Sequence, residues 1–157
     1  MRLLPVLLVA ALAVAPGATA APAKGAGIRL AAGIGPVALG EPRGALEQSL
    51  GRGVEGHDWY GAVVRYPSRH LHVSFIGRSV LRVGTTWRGY RTNRGIGPST
   101  TVKALRHAYP HATCDTAERP FDHACVVPAP SPDSGPGYTL FYVRAGVVRE
   151  VDVWLIL

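Results

Sequence analysis

The sequence lacks the short motifs that mark common nucleotide-dependent and hydrolytic enzymes. It has no P-loop, no dinucleotide fingerprint between a predicted strand and a predicted helix, and no G-x-S-x-G nucleophile motif. The sequence therefore gives no support to the enzyme classes built on those motifs. An unrecognised secreted enzyme stays open as an alternative, and it would need titratable groups that converge in a pocket.

Long apolar runs are equally scarce, since the only one lies at the N-terminus. Leu3–Val14 follows the positive Arg2 and precedes the small residues Ala18-Thr19-Ala20. This order predicts a secretory signal peptide over residues 1–20, cleaved near Ala20. The run is too short to cross a hydrocarbon core of roughly 30 Å. We therefore expect no transmembrane segment and a location outside the cell or at the cell envelope.

Cysteine is limited to Cys114 and Cys125. In an exported chain these two residues are expected to form a disulfide. On the loop-length model, such a short loop gives roughly 2–3 kcal/mol of stabilisation. A paired cysteine serves neither as a nucleophile nor as a metal ligand, so the pair is a structural prediction.

Acidic residues are missing from a long central stretch. No Asp or Glu occurs between Trp59 and Cys114, whereas Lys and Arg recur throughout it. A block of one charge sign is expected to attract anions, which outside a cell include envelope polymers and acidic proteins. General solubility is the alternative explanation. The candidate basic surface comprises Arg82, Arg88, Arg91, Arg94 and Arg106.

The segment Trp87–Arg94 interleaves arginines with aromatic residues. This composition is found in proteins that bind single-stranded nucleic acid. For an exported protein we expect no nucleic-acid partner, and an exposed linker is the favoured interpretation.

The chain matches itself in two places. Gly33–Pro36 and Gly95–Pro98 have the same sequence. Each copy is followed by a segment whose apolar residues recur at helical spacing, and then by strand-like segments. The pattern predicts an α+β fold with two tandem units, each a helix packed on an antiparallel sheet, in one compact domain. The predicted boundaries are a signal peptide at 1–20, a flexible lead-in at 21–32, a first unit at 33–94 and a second unit at 95–157.

Leu39-Gly40 and Leu50-Gly51 bracket the first predicted helix, and the cysteines follow the second. In these features the chain resembles the β-lactamase inhibitory protein family and, more distantly, the small outer-membrane assembly lipoproteins that share its unit. The resemblance implies helix-on-sheet repeats, a disulfide from just after the helix to the next strand, and a binding function. The second unit lacks the Leu-Gly pairs, and no contact residue of the family can be matched.

The last predicted strands carry aromatic and charged side chains on one face. Glu150, Asp152 and Trp154 alternate along the last strand, and Phe141 is expected beside them on its partner. Aromatic rings among polar groups are typical of binding hot spots. The alternatives are that both faces are buried or that Trp154 fills a gap between the units. The candidate binding residues are Trp154, Phe141, His70, His72, Glu150 and Asp152.

His70 and His72 would supply at most half of a zinc site, and no acidic residue lies near them in the sequence. We therefore predict no metal, no cofactor and no catalytic residue. The predicted function is a secreted, non-enzymatic protein-binding module, with inhibition of a secreted hydrolase as its most specific form. The predicted partner is an extracellular or envelope protein. The alternative is a basic envelope protein that binds anionic surfaces or polymers.

Overall fold

The computed structural model describes residues 27–131, 133 and 135–157. The predicted signal peptide and residues 21–26 lie outside the described residues. Two short α-helices are present in the described part, α1 at Arg43–Leu50 and α2 at Val102–Ala108, and a single 3₁₀ turn covers Pro67–Arg69. The Thr101 side chain caps α2 by accepting a hydrogen bond from the Ala104 N–H at 3.2 Å. Within this part of the chain, neither helix is long and apolar enough to cross a membrane.

Three very short strands form a small antiparallel sheet near the start of the described chain. They are β1 (Ile28–Arg29), β2 (Gly33–Ile34) and β3 (Val37–Ala38). Ile28 and Ala31 are buried, and the other residues of 27–32 are half-buried. The predicted lead-in at 21–32 therefore includes buried residues, and the predicted boundaries of the two units stay a prediction.

All other strands join one antiparallel sheet of eight strands, in the order β4-β5-β6-β7-β11-β10-β9-β8. Four consecutive strands after α1 build one half, and four after α2 build the other. In chain order they are β4 (Val54–His57), β5 (Ala62–Tyr66), β6 (Leu71–Ile76), β7 (Ser79–Thr85), β8 (Thr113–Thr116), β9 (His123–Val127), β10 (Gly137–Arg144) and β11 (Val147–Leu155).

The predicted fold class is wrong, because the described chain is mostly β. The helices span only eight and seven residues, and the strands of both halves pair across β7 and β11 into one continuous sheet. The strand content was underestimated because β4 and β8 are polar edge strands, whose exposed side chains give no alternating apolar signal. The proposed sequence repeat stays a prediction.

The hydrophobic core lies on one face of the large sheet. Val73, Val83 and Val153 face one another across β6, β7 and β11, and all three are fully buried. Leu46 of α1 and Leu105 of α2 belong to the same cluster. This arrangement uses the apolar residues of each alternating strand and leaves the polar residues on the opposite face.

The predicted disulfide is confirmed. Cys114 of β8 and Cys125 of β9 lie directly opposite each other and are bonded. Cys125 is fully buried in the core cluster. The bond links the last two strands at one edge of the sheet and is compatible with folding in an oxidising compartment.

A substitution at Phe141 tests the assignment of the apolar core to one face of the large sheet. Its ring is fully buried, so Phe141→Ala should lower the free energy of unfolding by about 3–5 kcal/mol through lost burial and an unfilled cavity. The matched control is Val54→Ala on edge strand β4, where the side chain is 59% exposed and the change should stay within about 0.5 kcal/mol. Urea denaturation measures the free energy of unfolding of both variants. A loss at Phe141→Ala as small as that at Val54→Ala would contradict the assignment.

Candidate functional site

The polar face of the large sheet carries a row of side chains from three neighbouring strands. His72 of β6, Gly84 of β7 and Asp152 of β11 stand opposite one another across the sheet. Arg82 and Trp154 form the adjacent row on the same face. The strand register therefore brings together groups that are up to 82 residues apart in the sequence.

The charged side chains on this face form a buried ion-pair network with the guanidinium of Arg82 at its centre. Arg82 Nη1 donates to Asp152 Oδ2 at 3.2 Å, and Arg82 Nη2 donates to Asp58. His72 Nε2 lies 3.0 Å from Glu150 Oε1 and 3.3 Å from Asp152 Oδ1. The side chains of Arg82 and Asp152 are fully buried. A buried charge is costly unless it is paired. Loss of any one of these contacts would therefore leave a buried charge without compensation.

Gly84 provides the space for this network. It lies between His72 and Asp152, and a Cβ at this position would collide with His72 Nε2 and Asp152 Oδ1. Its backbone conformation is not of the left-handed kind that glycine alone adopts easily. The glycine is therefore explained by the close approach of two side chains across the strand.

The loop Asp58–Gly61, here called the aromatic loop, lies over this face. Asp58 Oδ1 accepts hydrogen bonds from the backbone N–H groups of Tyr60 at 2.9 Å and Gly61 at 3.0 Å. Trp59 Nε1 donates to Glu150 Oε2 at 3.3 Å. The local turn and the ion pair of Asp58 with Arg82 thus fix the loop against the sheet.

Aromatic rings pack edge to face around the loop. The centroid of the Trp59 ring lies 4.9 Å from that of the Tyr142 ring and 5.6 Å from that of the Phe121 ring. The Tyr60 ring lies 4.5 Å from that of Trp154. Trp59 is still 37% exposed and Tyr60 is 55% exposed. The loop therefore presents two partly exposed rings that are held by rings beneath them.

The network shifts the pKa values of its members. Burial disfavours the charged form of His72, but the hydrogen bonds that its ring N–H donates to the carboxylates of Asp152 and Glu150 outweigh burial and raise its pKa to about 9. Burial raises the pKa of Asp152, and His72 and Arg82 oppose this shift only in part. Burial would also raise the pKa of Asp58, yet the hydrogen bond and charge of Arg82 dominate and the pKa is lowered.

A cavity of about 430 Å³ opens beside the network. Asp58, His72 and Glu150 line it, and one candidate ligand atom from each lies within 4.8 Å of the others. These three residues are the ones that would hold a metal ion here. Titratable groups at a cavity are also the arrangement that acid–base catalysis requires.

Four of the six predicted binding residues come together on this face, whereas Phe141 does not and His70 lines only the cavity. His72, Glu150 and Asp152 are in contact, and Trp154 lies on the same face, but Trp154 is only 6% exposed beneath Tyr60. Phe141 lies on the opposite face, in the core. The interpretation with both rings on an open face is therefore wrong, and the alternative in which both rings are buried agrees with the structure.

A β-bulge explains the misplaced Phe141. The register of β10 and β11 shifts between Tyr142 and Val143, so that Phe141 opposes Val151 and Tyr142 opposes Glu150. Uninterrupted pairing from the hairpin turn would have placed Phe141 opposite Glu150. One additional residue in a strand exchanges the two faces, and the residue pattern alone did not reveal it.

His70 and the predicted basic surface also differ from expectation. His70 precedes β6 in a left-handed conformation with φ 54° and stacks on Trp87 at 4.6 Å, so it does not share a strand face with His72. Arg82 is fully buried and cannot belong to a basic surface. Arg88, Arg94 and Arg106 are exposed, and Arg91 is half-buried.

Asp58, Trp59, Tyr60 and Gly84 were not among the predicted site residues. An Asp three residues before a Gly is a recognisable turn signal, so the turn itself was detectable. The position of the turn over the sheet was not detectable from the sequence, because that position depends on Arg82 and Glu150, which are distant in the sequence. Gly84 carried the signal of an isolated glycine inside a strand pattern, which indicates a close approach.

Comparison with known proteins found no matching family model, no matching curated protein and no matching solved structure. The resemblance to the β-lactamase inhibitory proteins therefore stays a prediction.

Gly84→Ala tests the packing of the network. The added methyl group would force His72 and Asp152 apart, so we expect the free energy of unfolding to fall by about 1–3 kcal/mol. The control is Gly44→Ala in α1, where a Cβ meets nothing within 4 Å and alanine should be neutral or stabilising by up to about 1 kcal/mol. Urea denaturation compares the two, and an unchanged Gly84→Ala variant would contradict the close approach.

The pH dependence of stability tests the charge state of His72. Since its pKa rises from 6.5 to about 9 on folding, its contribution is complete below pH 6.5 and is lost as the pH rises through 9. The stability difference between the wild type and His72→Gln should shrink over this range by up to about 3 kcal/mol.

Urea denaturation with EDTA present, repeated across this pH range, measures the difference. His107→Gln, which removes an exposed histidine on α2, is the control. A wild-type advantage over His72→Gln that stayed constant up to pH 10 would rule out a raised pKa for His72.

Proposed function

We propose that the protein is a secreted, non-enzymatic binding module that recognises an acidic extracellular protein through the aromatic loop. The observation that carries this proposal is the fixed presentation of Trp59 and Tyr60. Both rings are partly exposed, while ring contacts and the Asp58–Arg82 ion pair restrain the loop beneath them.

Tryptophan and tyrosine dominate the energetics of protein interfaces. A loop that is already ordered loses little conformational entropy when a partner binds, so more of the contact energy appears as affinity. The aromatic loop combines both properties. Its polar surroundings, including exposed Arg65 and His57 on β5 and β4, form the type of rim that such hot spots have.

The distribution of charge supports an acidic partner. The whole sequence has a formal net charge of +7 with only ten acidic residues. Asp58, Glu150 and Asp152 are used in the buried network, against one arginine and His72. The accessible surface is therefore more basic than the net charge suggests, and it favours association with negatively charged proteins.

A secreted hydrolase is the most specific partner class that we propose, and it rests only on the resemblance given by the sequence. Anionic envelope polymers are the alternative partners, supported by the exposed Arg88, Arg94 and Arg106. The two alternatives differ in their sensitivity to salt, because contacts between exposed charges are screened at high ionic strength.

Retention of proteins from secreted and envelope fractions on the immobilised, oxidised protein tests the proposal. The wild type should retain one acidic protein at both low and high salt. The double variant Trp59→Ala/Tyr60→Ala should bind that protein at least about tenfold more weakly, equivalent to about 1.4 kcal/mol.

Trp87→Ala is the matched control, because Trp87 is an exposed ring, at 43%, outside the aromatic loop. It should bind as the wild type does, and thermal melting shows whether each variant is folded. Equal retention by the double variant would refute the role of the loop. Retention of many anionic species at low salt only would favour the envelope alternative.

A further inference from the structure

We propose that Asp58, His72 and Glu150 bind a divalent transition-metal ion, Zn²⁺ or Mn²⁺, at the cavity beside the aromatic loop. The proposal does not depend on the protein-binding function.

The geometry of the three side chains is close to that of a metal site. Their candidate ligand atoms all lie within 4.8 Å of one another, and His72 Nε2 is 3.0 Å from Glu150 Oε1. Nitrogen and oxygen ligands at about 2.0–2.2 Å from a tetrahedral zinc ion are roughly 3.4 Å apart. The His72–Glu150 pair already lies within this distance.

The ligand residues are held in place before any ion binds. The side chains of Glu150, Asp58 and His72 are 7%, 14% and 15% exposed. Trp59 donates to Glu150 Oε2, which leaves Oε1 directed at His72. Arg82 binds one oxygen each of Asp58 and Asp152. Hydrogen bonds of this kind orient the ligands of protein metal sites.

Formal charge also favours a cation here. Asp58, Glu150 and Asp152 contribute three carboxylates to the network, and Arg82 offsets only one of them. A metal ion would displace the proton from His72 Nε2, and a divalent ion would then balance the remaining two charges. One imidazole nitrogen with carboxylate oxygens is a donor set that suits zinc and manganese.

The cavity gives the ion access from solvent. It has a volume of about 430 Å³, which leaves room for water molecules to complete the coordination. The sequence pointed to no metal because no acid lies close to His72 along the chain. The fold supplies the acids from position 58 in the aromatic loop and position 150 in β11.

Metal binding to the tag-free full mature chain tests this inference. After dialysis against EDTA and removal of the chelator, isothermal titration with ZnCl₂ and with MnCl₂ should show one ion bound per chain for at least one metal. Glu150→Gln and His72→Gln should each bind at least about tenfold more weakly. His107→Gln and Asp115→Asn, which change exposed residues elsewhere, should bind as the wild type does.

The proposal fails if the wild type binds neither metal stoichiometrically, or if folded Glu150→Gln and His72→Gln bind as the wild type does. Circular dichroism identifies variants that do not fold. Should both sheet variants fail to fold, Asp58→Asn in the loop replaces them. A loss of at least tenfold in that variant supports the site, and unchanged binding overturns it.

Discussion

The buried guanidinium of Arg82 is the interaction on which the polar half of this structure depends. It binds Asp152 on the neighbouring strand and Asp58 in the aromatic loop, so one side chain connects the sheet to the loop that covers it. A buried cation without these partners would be strongly destabilising. The requirement for charge balance therefore fixes the position of the loop, and with it the positions of Trp59 and Tyr60.

The two faces of the large sheet follow from this arrangement. One face is an apolar core in which valines of adjacent strands meet the helices. The other face contains an ion-pair network whose charged members are stabilised by one another and not by apolar neighbours. Gly84 permits the contact between His72 and Asp152, and Trp59 joins Glu150 to the loop. Binding of a partner and binding of a metal would both act on the aromatic loop, so the two proposed functions share one structural element.

Much of the strand structure was predictable from local patterns. The hairpin from Leu71 to Thr85 and the closing hairpin to Leu155 show alternating apolar residues around glycine turns, and both agree with the structure. The fold class was not predictable in the same way, because the polar edge strands carry no apolar pattern and pairing between β7 and β11 joins distant segments. Phe141 was assigned to the wrong face because a β-bulge changes the register by one residue.

The sequence by itself determined the cysteine pairing, the alternation that places Glu150, Asp152 and Trp154 on one face, and the excess of basic residues. These properties depend on residue type and on short-range periodicity. Only the tertiary structure decided that Arg82 is buried, that Asp58 and Glu150 meet His72, and that Tyr60 covers Trp154. Each of these contacts joins residues far apart in the chain, so each depends on strand order and register, which short-range periodicity does not specify.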